Sequence, residues 1–199
     1  MFASIDWPAL LRSVAFAMLG GLGMYFGIAG IFELRYYRRR AAAPDWKCQP
    51  NRWPSPKARK DEIVLGAANM TAASLASGIF VYHVTHGGFT TLYYDLQTHG
   101  LAYSVASGVV YLLGTDLALY WAHRLYHTPT LYKRIHKVHH RWTSPTAFTS
   151  MAMHPVELAT YQSIMLVPLF VFPLHDEDHI RPTDLPRVDA DPCRFTGAR

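Results

Sequence analysis

The chain has 199 residues, a formal net charge of +5, half of its residues hydrophobic and a mean hydropathy close to zero. Those averages fit a soluble domain or a polar-looped membrane protein equally well, so the distribution of apolar residues decides. The positive charge does not point to nucleic acid, because the cations crowd beside the apolar runs, where membrane topology accounts for them. Two cysteines, Cys48 and Cys193, imply no disulfide framework.

The first uncharged run, Ser13 to Phe32, is long enough to cross a hydrocarbon core of about 30 Å. Ala15-Phe16-Ala17 has the small-residue form of a cleavage site, but too little apolar sequence precedes it, so an uncleaved anchor is expected. Gly23 and Gly27 are spaced as a small-xxx-small packing pair, a pattern that a Gly-rich run also produces by chance. Ala41 to Lys60 then reads as a connector rich in Pro, Trp and charge. Its Trp46 and Trp53 belong either at headgroup depth or in a packed loop.

A second uncharged run covers Ile63 to Tyr82 and a third Leu96 to Thr115. The loop between the first two runs carries Arg35, Arg38, Arg39, Arg40, Lys47, Arg52, Lys57, Arg59 and Lys60, whereas His83 to Asp95 contains no Lys or Arg. By the positive-inside rule the first loop is cytosolic and the Gly87-Gly88 turn lies on the opposite side. His83, His86 and His99 flank that turn, away from the histidines that follow.

Nothing between Leu96 and His127 forces a helix to stop, and at about 1.5 Å per residue such a helix is about 48 Å long, well past the hydrocarbon. His123 and His127 then stand above the membrane, and Thr128-Pro129 ends the helix. Leu131 to Trp142 reads as a further helix presenting His136, His139 and His140, closed by Ser144-Pro145. Cations at Arg124, Lys133, Arg134, Lys137 and Arg141 put this segment on the cytosolic side as well. A fourth apolar run, Leu158 to Leu174, is shorter and interrupted by Pro168 and Pro173. The expected fold is therefore all-α, with about four membrane segments and a helical cytosolic cap that carries the histidines.

HxxxH over His123 and His127 puts two imidazoles on one helix face, and HxxHH over His136, His139 and His140 offers three more. Imidazole ligates iron, copper, nickel and zinc, and either motif alone is weak, but the pair beside a membrane span indicates a metal site. No HExxH motif is present, which disfavours a zinc protease. Asp116, two turns before His123, is a candidate to orient a ligating ring or to ligate itself. Glu157 reads as structural, and His154 as a further ligand, a substrate contact or a plain loop histidine.

These residues resemble the sterol desaturase and fatty acid hydroxylase superfamily of membrane-bound di-iron oxidases. The likeness runs through Asp116, Tyr120-Trp121, His123-Arg124, His127, Leu131-Tyr132-Lys133, His136-Lys137, His139-His140, Ser144-Pro145, Phe148, His154-Pro155 and Phe172-Pro173-Leu174-His175. It is best from Asp116 to His175, extends loosely back to Ile63, and is most like the sterol desaturase branch. The resemblance implies an endoplasmic-reticulum enzyme of lipid or sterol biosynthesis with a cytosol-facing pair of irons. Those irons activate dioxygen with electrons from NAD(P)H, usually through cytochrome b5, to desaturate or hydroxylate sterols or fatty acyl chains. It also implies His123, His127, His136, His139 and His140 as metal ligands, with His154 and Asp116 as possible additions.

Family members carry a third HxxHH box after a further apolar stretch, and this sequence has none beyond His175. Residues 1–62 are thus expected to form an anchor and basic loop, 63–175 a shortened hydroxylase-like domain, and 176–199 an atypical, disordered tail. His175 and His179 form an HxxxH that faces the far side if the fourth run crosses. The expectation is an incomplete di-iron oxidase. Its alternative is a catalytically inactive short isoform that binds lipid or associates with a full-length homologue.

Overall fold

A computed structural model describes residues 5–47, 49–93 and 99–174. The expectations on Cys48, Asp95, His175, His179, Cys193 and the tail from residue 176 lie outside the described residues.

Helix α1, Trp7–Phe32, starts where Asp6 caps it, its carboxylate accepting from the Ala9 N–H at 3.0 Å, with Pro8 in the first turn. It runs on without a break into a π-helical turn, Glu33–Arg38. Helix α2, Pro56–Thr85, is capped by the Ser55 hydroxyl, which accepts from the Ala58 N–H at 3.1 Å. Both helices outrun the uncharged stretches read from the sequence, because their caps sit several residues upstream.

The two helices pack antiparallel. The Asp6 N–H reaches the Tyr82 hydroxyl at 2.9 Å at one end, and Arg59 pairs with Glu33 at 2.9 Å at the other. Close approach depends on Gly21, set against Ser74, and Gly78, set against Val14, where any Cβ would overlap the partner. Gly23 and Gly27 face open space, so the spacing that suggested a packing pair is not used between these helices.

Helix α3, Leu101–Tyr126, follows Gly100, whose φ of 78° suits glycine. It lies against α5, Pro155–Leu166, with the Tyr111 hydroxyl donating to the Met165 carbonyl at 3.0 Å and the Tyr126 and Thr160 hydroxyls 2.6 Å apart. Between them come a short α4, Pro129–Arg134, and two 3-10 turns, His136–Arg141 and Ala147–Met151. Among the described residues, α1 with its π-turn, α2 and α3 are the three helices long and apolar enough to cross a membrane, which makes this a multi-pass membrane protein. The expected fourth span is not one helix. Pro168 lacks the N–H that an α-helix needs and its ring crowds the preceding turn, so α5 gives way to a 3-10 turn, Val167–Phe170. The segment still reaches the end of the bundle away from the histidines, where the Leu169 and Leu174 carbonyls accept from the N–H groups of Thr91 and Tyr93.

The basic loop and the histidine segment share the opposite end. Tyr37 donates to the Pro145 carbonyl at 2.6 Å, Ser144 to the Arg52 carbonyl at 2.8 Å, and the Trp142 indole to the Ala58 carbonyl at 3.1 Å. Trp46 and Trp53 pack edge-on to one another and to Tyr37, with the Lys47 ammonium 4.6 Å from the Trp53 ring centre. Beneath them the buried Glu62 carboxylate accepts from both Thr146 and Thr149, tying α2 to the segment after the boxes.

Candidate metal centre

The last turns of α3 place His123 and His127 on one face, four residues apart. Thr128, extended at φ −65° and ψ 147°, ends that helix, and Pro129 opens α4. The sequence reading expected one helix from Leu131 to Trp142. Instead the backbone turns at Ile135, φ −124° and ψ −66°, and resumes as the 3-10 turn His136–Arg141. That turn drives the His136 ring inward, where it is fully enclosed.

Four donor nitrogens meet as a result. The Nε2 atoms of His123 and His127 are 3.2 Å apart, those of His127 and His136 3.2 Å, and those of His136 and His140 2.9 Å. The ligand atoms of His123, His127 and His136 all lie within 4.8 Å of one another. Imidazoles that share a tetrahedral ion at about 2.05 Å stand about 3.3 Å apart, the spacing that His127 keeps to both His123 and His136. His140 joins the group through its contact with His136.

His139 stands to one side. In a 3-10 turn residues three apart eclipse, and its ring stacks on that of His136 at 5.7 Å between centres. Its Nδ1 lies 3.3 Å from the Ala152 carbonyl, which can only accept, so that nitrogen carries the proton and Nε2 keeps its lone pair. For His140, burial first and then the neighbouring rings of His136 and His139 hold the imidazole below its ordinary value, the neutral form that a metal needs.

The carboxylate on these rings is Glu157. It is buried, and its Oε1 lies 2.8 Å from His136 Nδ1. The Tyr161 hydroxyl donates to the same oxygen at 3.0 Å and is itself 3.3 Å from His123 Nδ1. Spacing makes Asp116 a candidate to orient a ring or to ligate and leaves Glu157 structural, and the geometry differs on both. The separation of 21 residues between Glu157 and His136 hides their contact in the sequence. One signal was available, a carboxylate and a tyrosine four apart on one face of an otherwise uncharged helix. Asp116 is exposed and makes no hydrogen bond to any of the rings; it lines a cavity of about 470 Å³ with Tyr120, His123, Met153, Tyr161 and Gln162. His154 sits outside the cluster and caps α5, its Nδ1 accepting from the Val156 N–H at 3.2 Å. His83 and His86 bond to nearby carbonyls and His99 stacks on Tyr103, all at the other end of the bundle.

A second cavity, also about 470 Å³, lies between Tyr111, Thr115, Ile164, Pro168 and Phe172. Its lining is almost wholly apolar. The two cavities share no lining residue and lie against different faces of α3.

Among protein families, fatty acid hydroxylase matches residues 108–180, the stretch that holds both boxes and Glu157. A Delta(7)-sterol 5(6)-desaturase of Gibberella zeae is 31% identical over 155 residues, 77% of this chain and 42% of that protein. One from Aspergillus fumigatus is 40% identical over 86 residues, 41% of this chain and 27% of its own length. The mouse lathosterol oxidase is 42% identical over 90 residues, 44% of this chain and 30% of the mouse protein. The chain therefore spans less than half the length of these relatives. No solved structure matches it.

Proposed function

The chain belongs to the sterol desaturase and fatty acid hydroxylase superfamily of oxidoreductases, and on that premise we propose that its histidine centre serves oxygen-dependent desaturation or hydroxylation of a sterol or fatty acyl lipid. The observation that carries this reading is the meeting of Nε2 atoms from two boxes, 3.2 Å apart, beside a cavity that His123 lines. His123, His127 and His136 would hold iron, with His140 and His139 beside them. Bound iron supplies the activation of dioxygen.

The remaining steps belong to the chain. The cavity that His123 lines with Met153, Leu158 and Met165 holds the reacting part of an apolar lipid, and its walls keep water from the reacting carbon. Glu157 and Ala152 accept from ring nitrogens and leave the opposite nitrogens free to ligate. The basic loop and the histidine segment lie on the cytosolic face of the endoplasmic-reticulum membrane, where NAD(P)H-derived electrons arrive through cytochrome b5. Charge asymmetry supports that orientation.

The test is lipid oxidation in membranes that contain this protein with cytochrome b5 and its reductase, supplied with a Δ7-sterol or a fatty acyl lipid. Product that disappears in His123→Ala and in His136→Ala supports the proposal, and product that survives either change refutes it. One observation favours a second reading, a non-catalytic lipid-binding or partner-binding membrane protein: His123, His127 and His140 are exposed, whereas oxygen chemistry needs a closed site. A metal-loaded protein that forms no product would select that alternative.

A further inference from the structure

We infer that Glu157 and Tyr161 are positioning residues that set the tautomers of His136 and His123 together, so that one face of α5 prepares both histidine boxes for metal. The inference rests on the metal-site reading above and goes beyond it, because neither residue touches the ion.

Every proton in this linkage has one consistent place. A carboxylate only accepts, so the His136 Nδ1, 2.8 Å from Glu157 Oε1, carries its ring proton. The Tyr161 hydroxyl gives its proton to the same Oε1 at 3.0 Å. Its oxygen is then free to accept from His123 Nδ1 at 3.3 Å, which puts that ring's proton on Nδ1 as well. Both rings are left with bare Nε2 lone pairs, each 3.2 Å from His127 Nε2.

The surroundings favour a rigid device over a loose contact. Glu157 and His136 are both almost fully enclosed, at 1% and 0% exposure. Glu157 and Tyr161 are one helical turn apart, so their side chains share a face of α5. The Tyr126 ring stacks on His136 at 5.9 Å, and Tyr126 meets Tyr161 edge-on at 6.2 Å, closing the sides of the linkage. The rings of His127 and His140 pack on Tyr132, but among the described residues their hydrogen-bond contacts run through Nε2 alone, with no partner at Nδ1 to fix the tautomer. The centre therefore has oriented rings, His123 and His136, and adaptable rings, His127 and His140.

The experiment is a cobalt(II) titration of the full chain in detergent, followed by the visible ligand-field bands, with the thermal midpoint of the metal-free protein measured alongside. Glu157→Leu is expected to weaken cobalt binding about 10- to 100-fold, and Glu157→Gln, which keeps an acceptor for His136, to recover most of that loss. Tyr161→Phe keeps the ring and its packing, and is expected to weaken binding about tenfold and shift the cobalt bands, a spectral change that the modest fall in the metal-free midpoint from losing one donor to Glu157 would not itself produce. Wild-type affinity and spectrum in Tyr161→Phe, or no recovery from Leu to Gln at position 157, would overturn the inference. If the wild-type chain itself binds no cobalt, the metal-site reading falls and takes this inference with it, an outcome the wild-type titration separates from failure of the positioning role alone.

Discussion

His136 is the one box histidine whose ring is wholly enclosed, and its loss leaves the Glu157 carboxylate buried with Tyr161 as its remaining donor. Losing one of the donors to a buried carboxylate costs about 1.5–3 kcal/mol. His136→Ala is therefore expected to destabilise the metal-free protein by about that amount in denaturant unfolding, whereas His127→Ala, at an exposed ring, should stay within about 0.5 kcal/mol. Equal effects at the two positions would contradict the burial argument. The histidines themselves were legible in the sequence, because three- and four-residue spacing is a local property. Glu157 was not, because its role depends on a contact between distant segments and on an enclosure that spacing does not reveal. His139 was grouped with its neighbours for the same reason: sequence cannot tell which ring of an HxxHH turns aside to a carbonyl.

At the scale of elements, the apolar runs located three long helices, and the starts of the first two follow from Asp6 with Pro8 and from Ser55 with Pro56. The kink at Ile135 and the change of helix type at Pro168 were less legible. The first arises from tertiary packing of His136, and the second from a proline whose effect could have been a bend or a full stop. Packing also separates glycines that look alike in the sequence. A Cβ at Gly66 would overlap the Tyr25 hydroxyl, which donates to the Phe148 carbonyl at 2.9 Å, so Gly66→Ala is expected to destabilise by about 1–3 kcal/mol. Gly27→Ala meets nothing and should be neutral or stabilising by up to about 1 kcal/mol. Thermal unfolding in detergent distinguishes the two, and a reversed order would contradict the helix contact described here. Thr146→Val and Thr149→Val each remove a donor to Glu62 and are expected to cost about 1–3 kcal/mol, read as earlier protease cleavage between α4 and α5.

At the scale of the whole molecule, the charge pattern and the hydrogen bonds lead to one arrangement by separate routes. Lys and Arg in the first loop and beside the boxes suggested a common side, and contacts such as Tyr37 to Pro145 and Trp142 to Ala58 join those segments at one end of the bundle. Glycosylation acceptors introduced near Gly87-Gly88 are expected to be modified, and acceptors introduced between Ala41 and Arg52 or beside Lys137 to remain bare. The opposite pattern would invert the proposed orientation. The central claim is that two histidine boxes from different segments form one metal site. Elemental analysis of the purified chain tests it most directly: about one iron or zinc per chain is expected, falling to background in His136→Ala. A wild-type chain without metal, or a His136→Ala chain that keeps its full metal content, would contradict the account.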